Sequence, residues 1–289
     1  MINWPNTLVR DIALRKCVLV LGAGISMNSQ NAYGVRPKSW DGFLKEGVKK
    51  LQKPFAKSVQ ELIKSKDYLT ACELLKDKLG RATFVDFLTS EYQTPRFQVA
   101  EIHKTIFKLD ARIVITPNFD NIYDRYVQNE TEGTVVIKTY NQEDIAEALR
   151  TNKRLILKIH GTIDAANQLI FSRNDYTEAR TKFQHFYTIL DALSITNTFL
   201  FLGCGTNDPD IRLILEDYNF RFKHSREHYI TLSKNSNPKG VNEILEKTMN
   251  IKFLEYDGKD GHKELKESLD DLVSKVDAER AAIALSQEW

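Results

Sequence analysis

Four short stretches carry residues whose types and spacing could do chemistry. The first is Leu21-Gly22-Ala23-Gly24-Ile25-Ser26, directly after an apolar run. Two glycines let a chain turn tightly and let backbone N–H groups approach a phosphate, and a following helix would add its positive end. The usual dinucleotide fingerprint wants a third glycine where Met27 stands, so an ordinary dehydrogenase reading is weak and a plain tight turn competes. The second is Thr116-Pro117-Asn118-Phe119-Asp120, where an amide and a carboxylate two apart can converge on one small polar target. Either could instead cap a helix starting near Asn121. The third is Lys158-Ile159-His160-Gly161. An imidazole titrates nearest neutrality, and the glycine lets the chain bend away; a satisfied structural histidine is the alternative. His103, His185, His224, His228 and His262 have no comparable setting and read as helix-surface or edge residues. The fourth runs from Gly203-Cys204-Gly205-Thr206-Asn207 to Asp208-Pro209 and a helix with Leu213, Ile214 and Leu215. Asp208 reads as its N-cap and Pro209 as its first residue.

These stretches need a frame that gathers them. Short apolar, β-branched runs predict strands at 17–21, 112–116, 134–137, 155–159, 168–171, 199–202, 228–232 and 251–254. Several are continuously apolar, as in strands covered on both faces of a parallel sheet. Strands alternate with crossover-length helical patterns. The expected fold is therefore α/β: a doubly wound, mainly parallel, Rossmann-like sheet. All four stretches then fall at carboxyl ends of strands and line one crevice. From 39 to 109 no strand is expected. Phe43, Leu44, Val48 and Leu51 begin a series at helical spacing, which predicts a helical insert subdomain. Residues 261–289 predict a C-terminal helical segment whose stripe, Leu265, Leu269, Leu272, Val276 and Ile283, closes the core or meets a partner helix. The whole, 1–289, reads as one domain.

Composition narrows the classes. The chain has 289 residues, 42% hydrophobic and 28% charged, enough for a sizeable core without staples. No apolar run approaches the roughly 18 residues of a membrane span, and the first residues lack a secretory layout, so a cytoplasmic location is expected. Cys17, Cys72 and Cys204 are too scattered for a disulfide framework or a four-thiolate zinc site. Lys plus Arg is 41 against 39 for Asp plus Glu, so gross charge does not imply nucleic acid.

The order Gly22-Ala23-Gly24-Ile25-Ser26, Thr116-Pro117-Asn118-Phe119-Asp120, His160-Gly161, Gly203-Cys204-Gly205 resembles the sirtuin superfamily, over about 18–215. Protein-deacylating sirtuins carry a zinc ribbon of two Cys-x-x-Cys pairs after the His-Gly motif. Only Cys204 follows His160 here, so that zinc site is excluded. The 203–210 loop, Phe171-Ser172-Arg173-Asn174-Asp175-Tyr176 and Ser39-Trp40 are similar to the sirtuin-like NAD⁺ hydrolases of bacterial anti-phage defence.

That resemblance implies NAD⁺ as substrate, no metal, and cleavage of the nicotinamide–ribose bond to nicotinamide and ADP-ribose. It implies Asn118 beside the nicotinamide ribose, Asp120 holding that loop or bonding ribose, and His160 as general base. Gly22, Ala23, Gly24 and Ser26 would cradle the pyrophosphate, with Thr116, Asn118 and Asp120 also at the dinucleotide. Gly203, Gly205, Thr206 and Asn207 would lie near the adenosine half. It further implies a homo-oligomer working with a HerA-type ATPase or other sensor encoded nearby, with the insert and the C-terminal stripe as candidate assembly surfaces. A deacylase, an ADP-ribosyltransferase and a catalytically silent nucleotide sensor are the alternatives.

Overall fold

The computed structural model describes residues 1–205, 215, 216, 222 and 225–286. Its frame is a seven-stranded sheet, ordered β3-β4-β2-β1-β5-β6-β7, in which every pairing is parallel. The strands are β1 (Cys17–Leu21), β2 (Ile113–Thr116), β3 (Val136–Thr139), β4 (Leu155–Lys158), β5 (Thr198–Leu202), β6 (His228–Ser233) and β7 (Ile251–Tyr256). β1, β2, β4 and β5 are buried at every position. Alternation along each strand divides those side chains between two cores. Leu19, Leu21, Val114, Ile156 and Leu200 share one with α1 (Asn6–Ala13), α7 (Glu101–Lys108), α8 (Ile122–Glu130) and α13 (Lys259–Ser286). Val18, Val20, Ile115, Leu157 and Phe201 share the other with α9 (Ile145–Arg150), α10 (Arg173–Lys182), α11 (Gln184–Thr196) and α12 (Val241–Met249). The fold is thus α/β, doubly wound and Rossmann-like.

One expected strand is absent. Residues 163–168 form a 3₁₀ helix, and 169–171 run on without a ladder. The apolar run is real but is buried by packing: Leu169 and Phe171 enter a third core and Ile170 enters the second. The Ile170 N–H goes to the carbonyl of His160 at 3.1 Å.

Between β1 and β2 lie α2 (Ala23–Ser26), α3 (Trp40–Val48), α4 (Lys53–Lys64), α5 (Tyr68–Leu79), α6 (Arg81–Tyr92) and α7. Helices α3 to α6 build the third core around Phe43, Leu75 and Phe87. Helix α7 does not join it, because Ile102 and Ile106 pack on the sheet. The C-terminal stripe is also inward: Leu265, Leu269, Leu272 and Val276 sit in the first core. That stripe closes this chain's own core and is not an exposed face for a partner. Among the described residues no helix is long and apolar enough to cross a membrane.

Candidate functional site

Because every strand is parallel, all carboxyl ends lie along one edge of the sheet. Strand β1 has β2 on one side and β5 on the other, the switch-point arrangement where α/β sheets open a crevice. A cleft of about 390 Å³ lies there. Gly22, Ala23, Gly24 and Ser26 line it after β1, Asn118 and Asp120 after β2, His160 after β4, and Gly203 and Gly205 after β5. Ser39, Trp40, Tyr68 and Tyr92 add a wall from the insert. Thr206, Asn207, Asp208, Pro209, Leu213 and Ile214 lie outside the described residues, as does His224.

The glycines are explained first by the close approach of two loops. A Cβ on Gly22 would stand 2.5 Å from the Gly203 carbonyl oxygen and 2.7 Å from Cys204 Cα. Gly203 has φ +62°, and a Cβ there would meet the Ile25 nitrogen at 2.6 Å. The Gly22 N–H donates to the Leu202 carbonyl and the Gly24 N–H to that of Gly203, each at 2.9 Å. Those two amides are therefore engaged within the protein, which narrows the phosphate cradle expected from the motif.

Ser26 joins the first two motifs across 92 residues of chain. Its hydroxyl donates to Asp120 Oδ2 at 2.7 Å and accepts from Asn118 Nδ2 at 3.0 Å. Asp120 Oδ1 accepts the Ile122 N–H at 3.1 Å, so the same carboxylate also holds the start of α8. Capping and site-building are here one role. Thr116 does not line the cleft. Its hydroxyl donates to the Leu21 carbonyl at 2.7 Å and accepts the Asn118 N–H at 3.0 Å, fixing the loop's first turn.

Phe119, between Asn118 and Asp120, anchors the loop from the other side. Its ring packs edge-on against Tyr92 at 4.8 Å and Phe171 at 5.3 Å. Phe171 in turn meets Trp40 at 5.4 Å, just after Ser39, whose hydroxyl caps α3. The insert's aromatic core thus buttresses the loop that carries the amide.

His160 is 3% exposed at the cleft floor. Gly161 takes φ +86°, with the Gln168 carbonyl only 3.2 Å from any added Cβ, so glycine permits the bend. The His160 Nε2 lies 3.2 Å from the Tyr176 hydroxyl, and the rings meet edge-on at 5.1 Å. Tyr176 sits on α10, whose start is fixed by a capping box of Ser172 and Asp175. Sequence reasoning gave Tyr176 no role of its own.

Two histidines expected on surfaces are buried instead. His103 is held by the Ala100 N–H on Nδ1, and burial lowers its pKa against the opposing pull of Asp120. His228 opens β6, accepts the Phe199 N–H on Nδ1 at 3.1 Å, and is pushed down from 6.5 to about 4 by burial. His103 lies in the first turn of α7 and His228 opens β6, and in each place a neutral imidazole serves as an amide acceptor. Burial likewise pushes the Cys17 and Cys72 thiols up from their ordinary range. Among the described residues no group of three or more His, Cys, Asp or Glu is placed to hold a metal ion.

Residues 112–254 match the SIR2-like domain family. The chain is 27% identical over 156 residues to the NAD(+) hydrolase ThsA of Acinetobacter baumannii, which covers 54% of this chain and 32% of that protein. It is 24% identical over 217 residues to the NAD(+) hydrolase ThsA of Enterococcus faecium, 74% of this chain and 42% of that one. Defense-associated sirtuin 2 of Bacillus subtilis is 25% identical over 154 residues, 52% of this chain and 15% of that protein. The matched stretch thus spans less than half of each of these relatives. Residues 112–254 of the chain are thus similar to the SIR2-like domain family, and its four motifs gather around one cleft of a parallel sheet.

Proposed function

We propose that this chain hydrolyses the nicotinamide–ribose bond of NAD⁺, giving nicotinamide, ADP-ribose and a proton, as an NAD⁺-depleting effector of defence. One observation carries the reading: Asn118 and His160, 42 residues apart, line the same cleft with the glycine turns. The names of the similar proteins support the substrate. The whole activity and the effector role come to this chain as a proposal. So does the assembly that the resemblance implies, a homo-oligomer working with a HerA-type ATPase.

Bond cleavage builds positive charge on the sugar as neutral nicotinamide leaves. A neutral amide suits that neighbourhood, because it orients hydroxyls or water and does not trap the cation as an ion pair. Asn118 has that role, and Asp120 holds the loop through Ser26 and Ile122. His160 is the base that takes the proton from water or from a ribose hydroxyl. A positioned base contributes about 10²–10⁴-fold.

The test is nicotinamide release from NAD⁺ by the full chain, with free ADP-ribose identified by mass spectrometry. His160→Ala and Asn118→Ala are each expected to abolish release while the fold persists. Full turnover by both variants removes the mechanism. Acetylated ADP-ribose or modified protein as the sole product would replace hydrolysis by transfer.

A further inference from the structure

Strand β4 reads Leu-Ile-Leu-Lys, and its last residue is as buried as the others. Lys158 is 1% exposed. A cation so buried needs charge balance and full hydrogen bonding. It has both. Nζ donates to the Asp120 carbonyl oxygen at 2.5 Å, to Asn121 Oδ1 at 3.1 Å and to Asp124 Oδ2 at 2.5 Å. An ammonium has three protons, and these acceptors use them all. Burial pushes the Asp124 carboxyl up, and Lys158 beside it pulls it back.

All three acceptors follow β2: two belong to the end of the Asn118–Asp120 loop and the third to α8. Lys158 itself stands two residues before His160. Its Cα pairs with Thr116, so the two loops leave the sheet at the same level. Asn121 extends the brace past His160. Its Oδ1 also accepts from the Thr162 hydroxyl at 3.0 Å, and its Nδ2 donates to Asp164 at 2.7 Å. Lys158 is not among the residues that line the cleft.

We propose that Lys158 is a positioning residue of this site: its ammonium, balanced by Asp124, sets the spacing between the Asn118 loop and the strand end that carries His160. The inference rests on the hydrolase reading for its consequence in rate, and on geometry alone for its effect on the loop. A merely stabilising ion pair is the competing account. The two separate because replacing a whole buried pair by apolar residues is often neutral for stability, whereas it releases the Asp120 carbonyl and Asn121.

The experiment compares the full chain with Lys158→Met/Asp124→Leu. It measures the melting midpoint, kcat and KM for nicotinamide release, and hydrogen exchange of the amides of 117–122. The expected result is a folded variant with faster exchange in that loop and kcat down by on the order of 10²-fold, the usual cost of a misplaced reacting group. KM should move less than about threefold, since the brace acts on orientation. A folded variant with unchanged kcat and unchanged loop exchange overturns the proposal. Where the double variant fails to fold, Lys158→Gln replaces it, with the same fall in kcat supporting the brace and wild-type kcat overturning it. Absence of nicotinamide release from the wild-type chain defeats the hydrolase reading alone. Loop exchange then decides for Lys158, with unchanged exchange overturning the brace.

Discussion

Ser26 holds the Asn118 amide in one orientation. A carboxylate can only accept, so the single hydroxyl proton goes to Asp120, at 2.7 Å. The Ser26 oxygen must then accept, and the Asn118 amide must present its nitrogen, at 3.0 Å. Flipping the amide would set two acceptors against each other. Asn118 Oδ1 is therefore the atom that the side chain can offer to a ribose hydroxyl or a water.

Ser26→Ala tests this relationship. It removes the acceptor that orients the amide and leaves Asp120 Oδ2 without its hydroxyl. The expected stability loss is about 1–3 kcal/mol, the cost of an unsatisfied buried group. The fall in kcat should be larger than that of a bystander, on the order of 10- to 10²-fold, because the reacting group is misaligned. Thermal melting and nicotinamide release measure both. A folded Ser26→Ala with wild-type kinetics would show that the amide is oriented by something else.

The two glycine loops give a prediction with a built-in control. In Gly22→Ala the new Cβ meets backbone on both near sides, at 2.5 and 2.7 Å, and neither atom belongs to a flexible side chain. The loops after β1 and β5 must separate. A destabilisation of about 1–3 kcal/mol is expected, as for overpacking generally, with loss of NAD⁺ binding by calorimetry. Gly42→Ala lies within helix α3 and meets nothing closer than 3.5 Å. Alanine there should be neutral or stabilise by up to about 1 kcal/mol, through helix propensity. Equal melting and equal binding for the two variants would refute the close-approach account.

How much of this was legible in the sequence depends on which physical signal each feature leaves. Strands β1, β2, β4 and β5 are readable because burial on both faces demands continuous apolar runs. The run 168–171 leaves the same signal, yet Leu169, Ile170 and Phe171 are buried by packing between two cores with no ladder. Helix α7 repeats the insert's helical period, and periodicity alone does not tell which core Ile106 will enter. The glycine turns, the Asn-x-Asp loop and His160-Gly161 are local and could be read directly. The Ser26–Asn118 bond joins residues 92 apart, and nothing local announces it. Tyr176 is one of 11 tyrosines, and its partnership with His160 exists only once α10 is docked. Lys158 did leave a signal: a lysine ending an otherwise apolar buried strand demands a counter-charge nearby.

His228 ties stability to pH. Its pKa falls from 6.5 to about 4 because the ring is buried, and its Nδ1 must stay unprotonated to accept the Phe199 N–H. A depressed folded value means that the unfolded chain binds the proton first. The stabilisation is complete above pH 6.5 and drains away as pH falls through that value toward 4, by on the order of 3 kcal/mol in all. His103, lowered by burial in the same sense, adds to the slope. Denaturant unfolding between pH 7.5 and 4.5 should show this loss before carboxylate protonation dominates. Asparagine can place an oxygen near the position of Nδ1 and does not titrate in this range. His228→Asn should therefore keep the acceptor and reduce the dependence between about pH 6.5 and 4.5 to the share that His103 contributes. A slope identical to the wild type would show that the acid sensitivity arises elsewhere.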